Sequence, residues 1–197
     1  MQSNKNNFIL EFRRFFKQFE KESDRAIVIL TAAKLDYLLE RIIEKFIIST
    51  PERNDPFFEI QGPAGTFYNK IILAFRLGLI DNDFTHQLHK IRKLRNEFAH
   101  EVDTCSFKIA RYKDIVVDIT SYYKNYNFFI YFQNDIAKEN NIARKNFTTI
   151  VGILILRLEG LFENIGTIPK PMKWEILTKS MKEWSNDSRI KMLEYKQ

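Results

Sequence analysis

Apolar residues recur along this chain every three or four positions, with charged and polar residues between them. That period sets the apolar side chains on one face of an α-helix. Phe8, Phe12, Phe15, Phe16 and Phe19 form a first stripe, which predicts a helix from Phe8 to Phe19. The clearest stripe runs from Ser23 to Ile48 through Ile27, Val28, Thr31, Leu35, Leu38 and Ile42. Pro51 and Pro56 interrupt the pattern, because proline lacks the backbone donor a helix interior needs.

The stretch Gln61-Gly-Pro-Ala-Gly-Thr-Phe67 is the most turn-like in the chain. Thr66 can cap a helix that runs to Leu77, and Gly78 can stop it. A glycine-rich loop ahead of a helix can also cradle phosphate, but GPAGTF lacks the Lys-Ser ending of a P-loop and no apolar strand precedes it. Asp83 to Val102 and Ile109 to Tyr123 follow as helices. The run from Val116 through Phe132 is rich enough in aromatic and β-branched residues to be ambiguous. Asn140 to Ile165 is another long helix, with Phe147, Ile150, Val151, Leu154, Leu158, Leu161 and Phe162 on its core side. Gly166, Pro169 and Pro171 mark a break. Beyond it Trp174, Leu177, Met181 and Trp184 would share the apolar edge of a tail helix. The pattern predicts an all-α fold, a bundle of about six to eight helices. Residues 1–166 would form the bundle, and 167–197 a linker and C-terminal tail helix.

Composition agrees. Only 6 glycines and 5 prolines occur in 197 residues, which favours long helices, and 45% hydrophobic content is enough for a core. The charge is +6 and the pI near 9.3. The basic residues are spread along the chain without a run or arm, so solvated helix faces explain them as well as nucleic acid does. A single cysteine, Cys105, excludes an intramolecular disulfide and a cysteine-based zinc site. The greasiest run, Ile150 to Leu156, is too short to span a bilayer and is followed by Arg157. The expectation is a soluble, cytoplasmic protein without a membrane association. The 18 Phe and 8 Tyr exceed what one small bundle hides easily, and predict a homodimer.

Arg95 is the residue that breaks the pattern. With Arg95 at zero on a helical wheel, Leu88 lies at about +20 degrees, Val102 at about −20, Ile91 at about −40 and Phe98 at about −60. Arg95 is therefore expected inside the buried arc. His89, Arg92, Asn96 and His100 form a polar strip at about 60 to 140 degrees. A guanidinium in a core needs a carboxylate. Asp24, which begins the stripe of the Ser23–Ile48 helix, is the expected partner, with Glu20 and Glu22 as alternatives. Asp24, Glu22, Arg25 and Arg92 would then make a structural or binding polar cluster. His86 and His89, three apart, are a conceivable ligand pair, yet HEXXH spacing is absent, and neither a metal nor another cofactor is expected. No GxSxG or cysteine nucleophile context occurs.

Arg95, Asn96 and His100 have a second reading. Arg, four residues, then His, with Asn after the Arg, resembles the motif of the HEPN superfamily of helical bundles. That resemblance implies a metal-independent ribonuclease, in which Arg95, Asn96 and His100 would be catalytic. A histidine supplies a proton acceptor near neutral pH, and an arginine a fixed positive charge for the phosphorane. A histidine at a helix C-terminus can equally be a cap.

Three blocks taken together resemble the mannitol repressor family: Glu22-Ser-Asp-Arg25 with the helix that follows, GPAGTFYNKIILAFRLGLI from Gly62 to Ile80, and KIRKLRNEFAH from Lys90 to His100. A weaker fourth is Ala143-Arg-Lys-Asn-Phe147. The blocks span about 140 residues in order, which is more specific than one Arg-His pair. The resemblance implies an oligomeric, all-helical regulator linked to carbohydrate uptake genes. No helix-turn-helix, zinc finger or basic region is present, so direct DNA reading is not expected. A non-enzymatic regulator acting through a protein partner, with RNA as another possible partner, is the expected function. A toxin- or defence-type ribonuclease is the alternative.

Overall fold

The computed structural model of the chain describes residues 10, 13–14, 16–19, 21–50, 54–101, 105–135 and 140–168. Every regular element among them is helical. The bounded helices are α1 (Asp24–Phe46), α2 (Phe67–Arg76), α3 (Asn82–His100), α4 (Ala110–Tyr123), α5 (Asn127–Asp135) and α6 (Ile142–Asn164). Residues 16–19 are helical ahead of α1. The ambiguous run from Val116 to Phe132 is the end of α4, a break at Lys124–Tyr126, and most of α5.

Capping residues decide where the helices start. Ser23 accepts from the Ala26 N–H at 3.1 Å, Thr66 from Asn69 at 3.1 Å, and Asp81 from Phe84 at 2.7 Å. Asn141 accepts from both Ala143 and Arg144. Each satisfies a donor that the first turn leaves orphaned, worth about 1 kcal/mol. α2 ends as its sequence predicts, with Gly78 at φ +70° in the left-handed region and its N–H bonded to the Phe75 carbonyl at 2.9 Å. Gly62 and Gly65 have a different reason. A Cβ on Gly62 would lie 2.2 Å from the Pro56 carbonyl oxygen, and one on Gly65 1.9 Å from that of Glu59. The N–H groups of Gly62, Ala64 and Gly65 donate to the carbonyls of Glu59, Phe57 and Gly62, so they are not turned toward a phosphate.

α6 is the central helix. Residues 147–156 are buried without interruption, so it is covered on all sides and not along one stripe. α1, α4 and α5 pack on it, while α3 packs on α1, α2 and α4. Thr148 and Thr149 tolerate that burial because their hydroxyls donate to the Arg144 and Lys145 carbonyls at 2.8 and 2.9 Å. No described helix is long and apolar enough to cross a membrane. α2 is pinned to α1 by Lys70, whose Nζ lies 2.6 Å from Glu40 and 2.9 Å from Asp36. Burial alone would pull this lysine down, but its bonds to Glu40 and Asp36 hold its pKa above the ordinary value.

The chain divides into two compact units, Met1–Gly166 and Thr167–Gln197. The bundle belongs to the first. The expected tail helix with Trp174 and Trp184 lies outside the described residues, as do Phe8, Phe12, Phe15, Glu20 and Val102.

Candidate functional site

Asp24 is the most heavily bonded carboxylate of the bundle. It stands at the first position of α1, its side chain 11% exposed. One oxygen accepts from Arg144 Nη1 at 2.7 Å. The other accepts from the Ser106 hydroxyl at 2.9 Å and from the Phe107 N–H at 2.8 Å. Arg144, in the first turn of α6, also donates from Nη2 to the carbonyls of Phe19 at 3.0 Å and Glu22 at 2.7 Å. This fork ties together the starts of α1 and α6, the chain before α1 and the loop after α3. Arg25 completes the cluster by donating to the Glu101 carbonyl at 2.7 Å and to Cys105 Sγ at 3.4 Å. Next to it, Arg111 is paired with Glu101 and donates to the Tyr112 hydroxyl at 2.5 Å.

The expected Asp24–Arg95 bridge is therefore corrected: Arg144 takes that place. Arg95 is exposed, and its Nη1 donates to the Asn96 side-chain oxygen at 3.1 Å. Glu22 joins the cluster through its main chain only, its side chain being exposed. The wheel misplaced Arg95 because the buried face of α3 drifts. In the first half it is broad, from Gln87 at about −80 degrees from Arg95 through Phe84 and Leu88 at about −20 and +20 to Thr85 at about +80. In the second half it is Ile91, Leu94 and Phe98, at about −40, −100 and −60 degrees. Packed helices cross at an angle, so a neighbour's footprint slides across the surface with each turn. A wheel collapses all turns into one circle and hides the slide.

Arg92 stands apart from Asp24. Its guanidinium lies 5.0 Å over the ring of Tyr68 from α2, and its buried Nε has no hydrogen-bond partner. His89 packs on the same ring, with centroids 5.4 Å apart. Burial, then the charges of Arg92 and His86, lower the pKa of His89 below the ordinary 6.5. A lowered folded-state pKa favours the neutral ring. Its stabilisation is present above the unfolded value near 6.5 and is lost as pH falls through the folded value. The NMR titration midpoint of His89 is expected below 6.5, moving upward in Arg92→Gln; a midpoint unmoved by that change would remove Arg92 as a cause. His86 Nδ1 is engaged with the Asn82 carbonyl at 2.8 Å, and no cluster of three metal-ligating side chains occurs among the described residues.

Asn96 and His100 share the exposed flank of α3 with Arg95, and His100 is the last residue of the helix. No hydrogen bond joins His100 to Arg95 or Asn96. The sequence pattern did not point to Arg144, Ser106 or Cys105. Arg144 carried a readable signal, since it lies three and four residues before the buried Phe147 and Thr148, a charge at the head of a core stripe as Asp24 is.

No protein-family model matches the chain, and no curated protein matches it. Solved structures do. A possible transcriptional regulator, YggD from Shigella flexneri, matches over 75% of this chain and 98% of its own, at 11% identity and a TM-score of 0.57. A structure of the MtlR–HPr complex from Escherichia coli matches over 76% of this chain and 98% of the matched chain, at 14% identity and a TM-score of 0.51. The chain shares its all-α fold with these two solved structures.

Proposed function

We propose that this chain is a cytoplasmic, non-enzymatic regulator that acts by binding a protein partner, as a mannitol-repressor-type protein. The observation that carries this reading is the likeness of 76% of the chain to a structure of the MtlR–HPr complex. The polar residues support it. Asp24 and Arg144 are consumed in holding the bundle together, and Arg95, Asn96 and His100 sit on an open flank, ready for contact. The test is calorimetric titration of the chain with HPr from the same genome. Saturable binding with one HPr per chain is expected, and no heat of binding at any accessible concentration would end the reading.

A homodimer goes with it. Tyr126, Ile130 and Tyr131 around α5 are 45–48% exposed, beyond what a lone bundle gains from leaving in water. Light scattering should give twice the chain mass of 23.6 kDa; that mass at every concentration would rule the dimer out. The ribonuclease reading is the second, favoured by Arg95 and His100 being exposed on α3 with Asn96 bonded to Arg95 between them.

A further inference from the structure

The flank shared by α2 and α3 stays largely open to water beyond the contacts of Tyr68 with His89 and Arg92. On α2, Tyr68, Ile72 and Phe75 follow one another at spacings of four and three, and are 48%, 37% and 39% exposed. An amphipathic helix turns such a stripe inward when nothing else covers it. Tyr68 is where the stripe meets α3, through its contacts with His89 and Arg92. The charge beside it is one-sided. Neither Arg92 nor Arg95 forms an ion pair among the described residues, whereas Lys90 of the same helix is paired with Asp118 and Lys34 of α1 with Glu159. The carboxylates of α3, Asp83 and Glu97, lie at about −120 and −160 degrees from Arg95, while Arg92 and Asn96 lie at about +60 and +100. Arg92 is also held in place in advance by its stack on Tyr68, which lowers the ordering cost of using it.

We propose that this flank is the docking surface for a protein partner that sets anionic groups, carboxylates or phosphates, against Arg92 and Arg95 and an apolar side chain against Ile72 and Phe75. The proposal rests on the reading that the chain works through a partner, and names where. Charge complementarity selects an acidic surface. Tyr68, Phe75 and the two arginines would suit a nucleic-acid strand as well, and Ile72, which lies between the rings in the stripe and can neither stack nor pair, favours the apolar side chain of a protein. A protein interface uses an apolar centre and a charged rim together.

The experiment repeats the titration of the preceding section with Arg95→Glu, Ile72→Glu and, on another helix, Lys113→Glu. All three positions are exposed, so the variants keep the fold, checked by circular dichroism. Arg95→Glu and Ile72→Glu are expected to weaken binding roughly tenfold or more, with Lys113→Glu unchanged. Rising salt should weaken the wild-type complex more steeply than the residual binding of Arg95→Glu, which keeps Arg92. Wild-type affinity in both flank variants overturns the surface and leaves the partner reading standing. Absence of binding by the wild type overturns both. A labelled single-stranded oligouridine that binds the wild type and is lost in Arg95→Glu, with the protein titration unaffected, would give the flank to nucleic acid and overturn the proposal.

Discussion

Replacing Asp24 by alanine is expected to cost about 3–5 kcal/mol of folding stability, the largest loss from any polar position in the bundle. The substitution takes the counter-ion from the Arg144 guanidinium, whose side chain is only 15% exposed and which keeps its bonds to the Phe19 and Glu22 carbonyls, and it releases the Ser106 hydroxyl and the Phe107 N–H as well. A buried cation left without its counter-ion keeps its desolvation penalty and loses the charge attraction that offset it. Asp24→Asn should lose less, because an amide still offers one acceptor oxygen to the loop after α3. Arg95→Ala, at an exposed position with a single neighbouring bond, should stay within about 0.5 kcal/mol of wild type. Urea unfolding of the three variants side by side decides the assignment. A larger loss from Arg95→Ala than from Asp24→Ala would mean that the buried ion pair has been given the wrong arginine.

Phe98→Ala is expected to cost about 3–5 kcal/mol by a different route, a cavity. Phe98 is fully buried near the end of α3, with its ring 4.4 Å from Tyr112 of α4 and 5.6 Å from Phe107, centroid to centroid. Phe107 in turn lies 5.1 Å from Phe147 of α6. These rings fill the junction of three helices directly beneath the exposed RNEFAH flank. Removing the first ring leaves the others without contacts they cannot recover, because rings anchored on separate helices cannot all move inward. Because the flank sits on this cluster, Phe98→Ala should also weaken partner binding, whereas His100→Ala should leave stability nearly untouched. A stability loss below about 1 kcal/mol for Phe98→Ala would contradict the packing described.

The helices were legible because their stripes are long and regular, and because caps such as Thr66 and Gly78 carry their chemistry in the residue type. α6 was only half legible. A single-sided stripe was expected, but the helix is central and buried around its circumference, and the threonines that complete its surface look polar until their hydroxyls are seen bonded within the helix. The polar cluster was legible at one end. Asp24 heads a core stripe and so must meet a cation, yet its partner lies 120 residues away, and sequence separation carries no direction in space. Arg95 drew the assignment because a wheel cannot show where along a helix its neighbours stop. The chemistry of RNEFAH as residue types was plain; what could not be read was that Arg95 faces water.

Whether that flank binds or cuts is the central question, and RNA incubation addresses it most directly. Wild type and His100→Ala are held with mixed single-stranded and structured RNAs in chelator, since the cleavage chemistry in question needs no metal. The account predicts intact RNA in both. Cleavage by the wild type alone, leaving 2′,3′-cyclic phosphate ends, would show that RNA is cut and that His100 is needed for it, and would contradict the account.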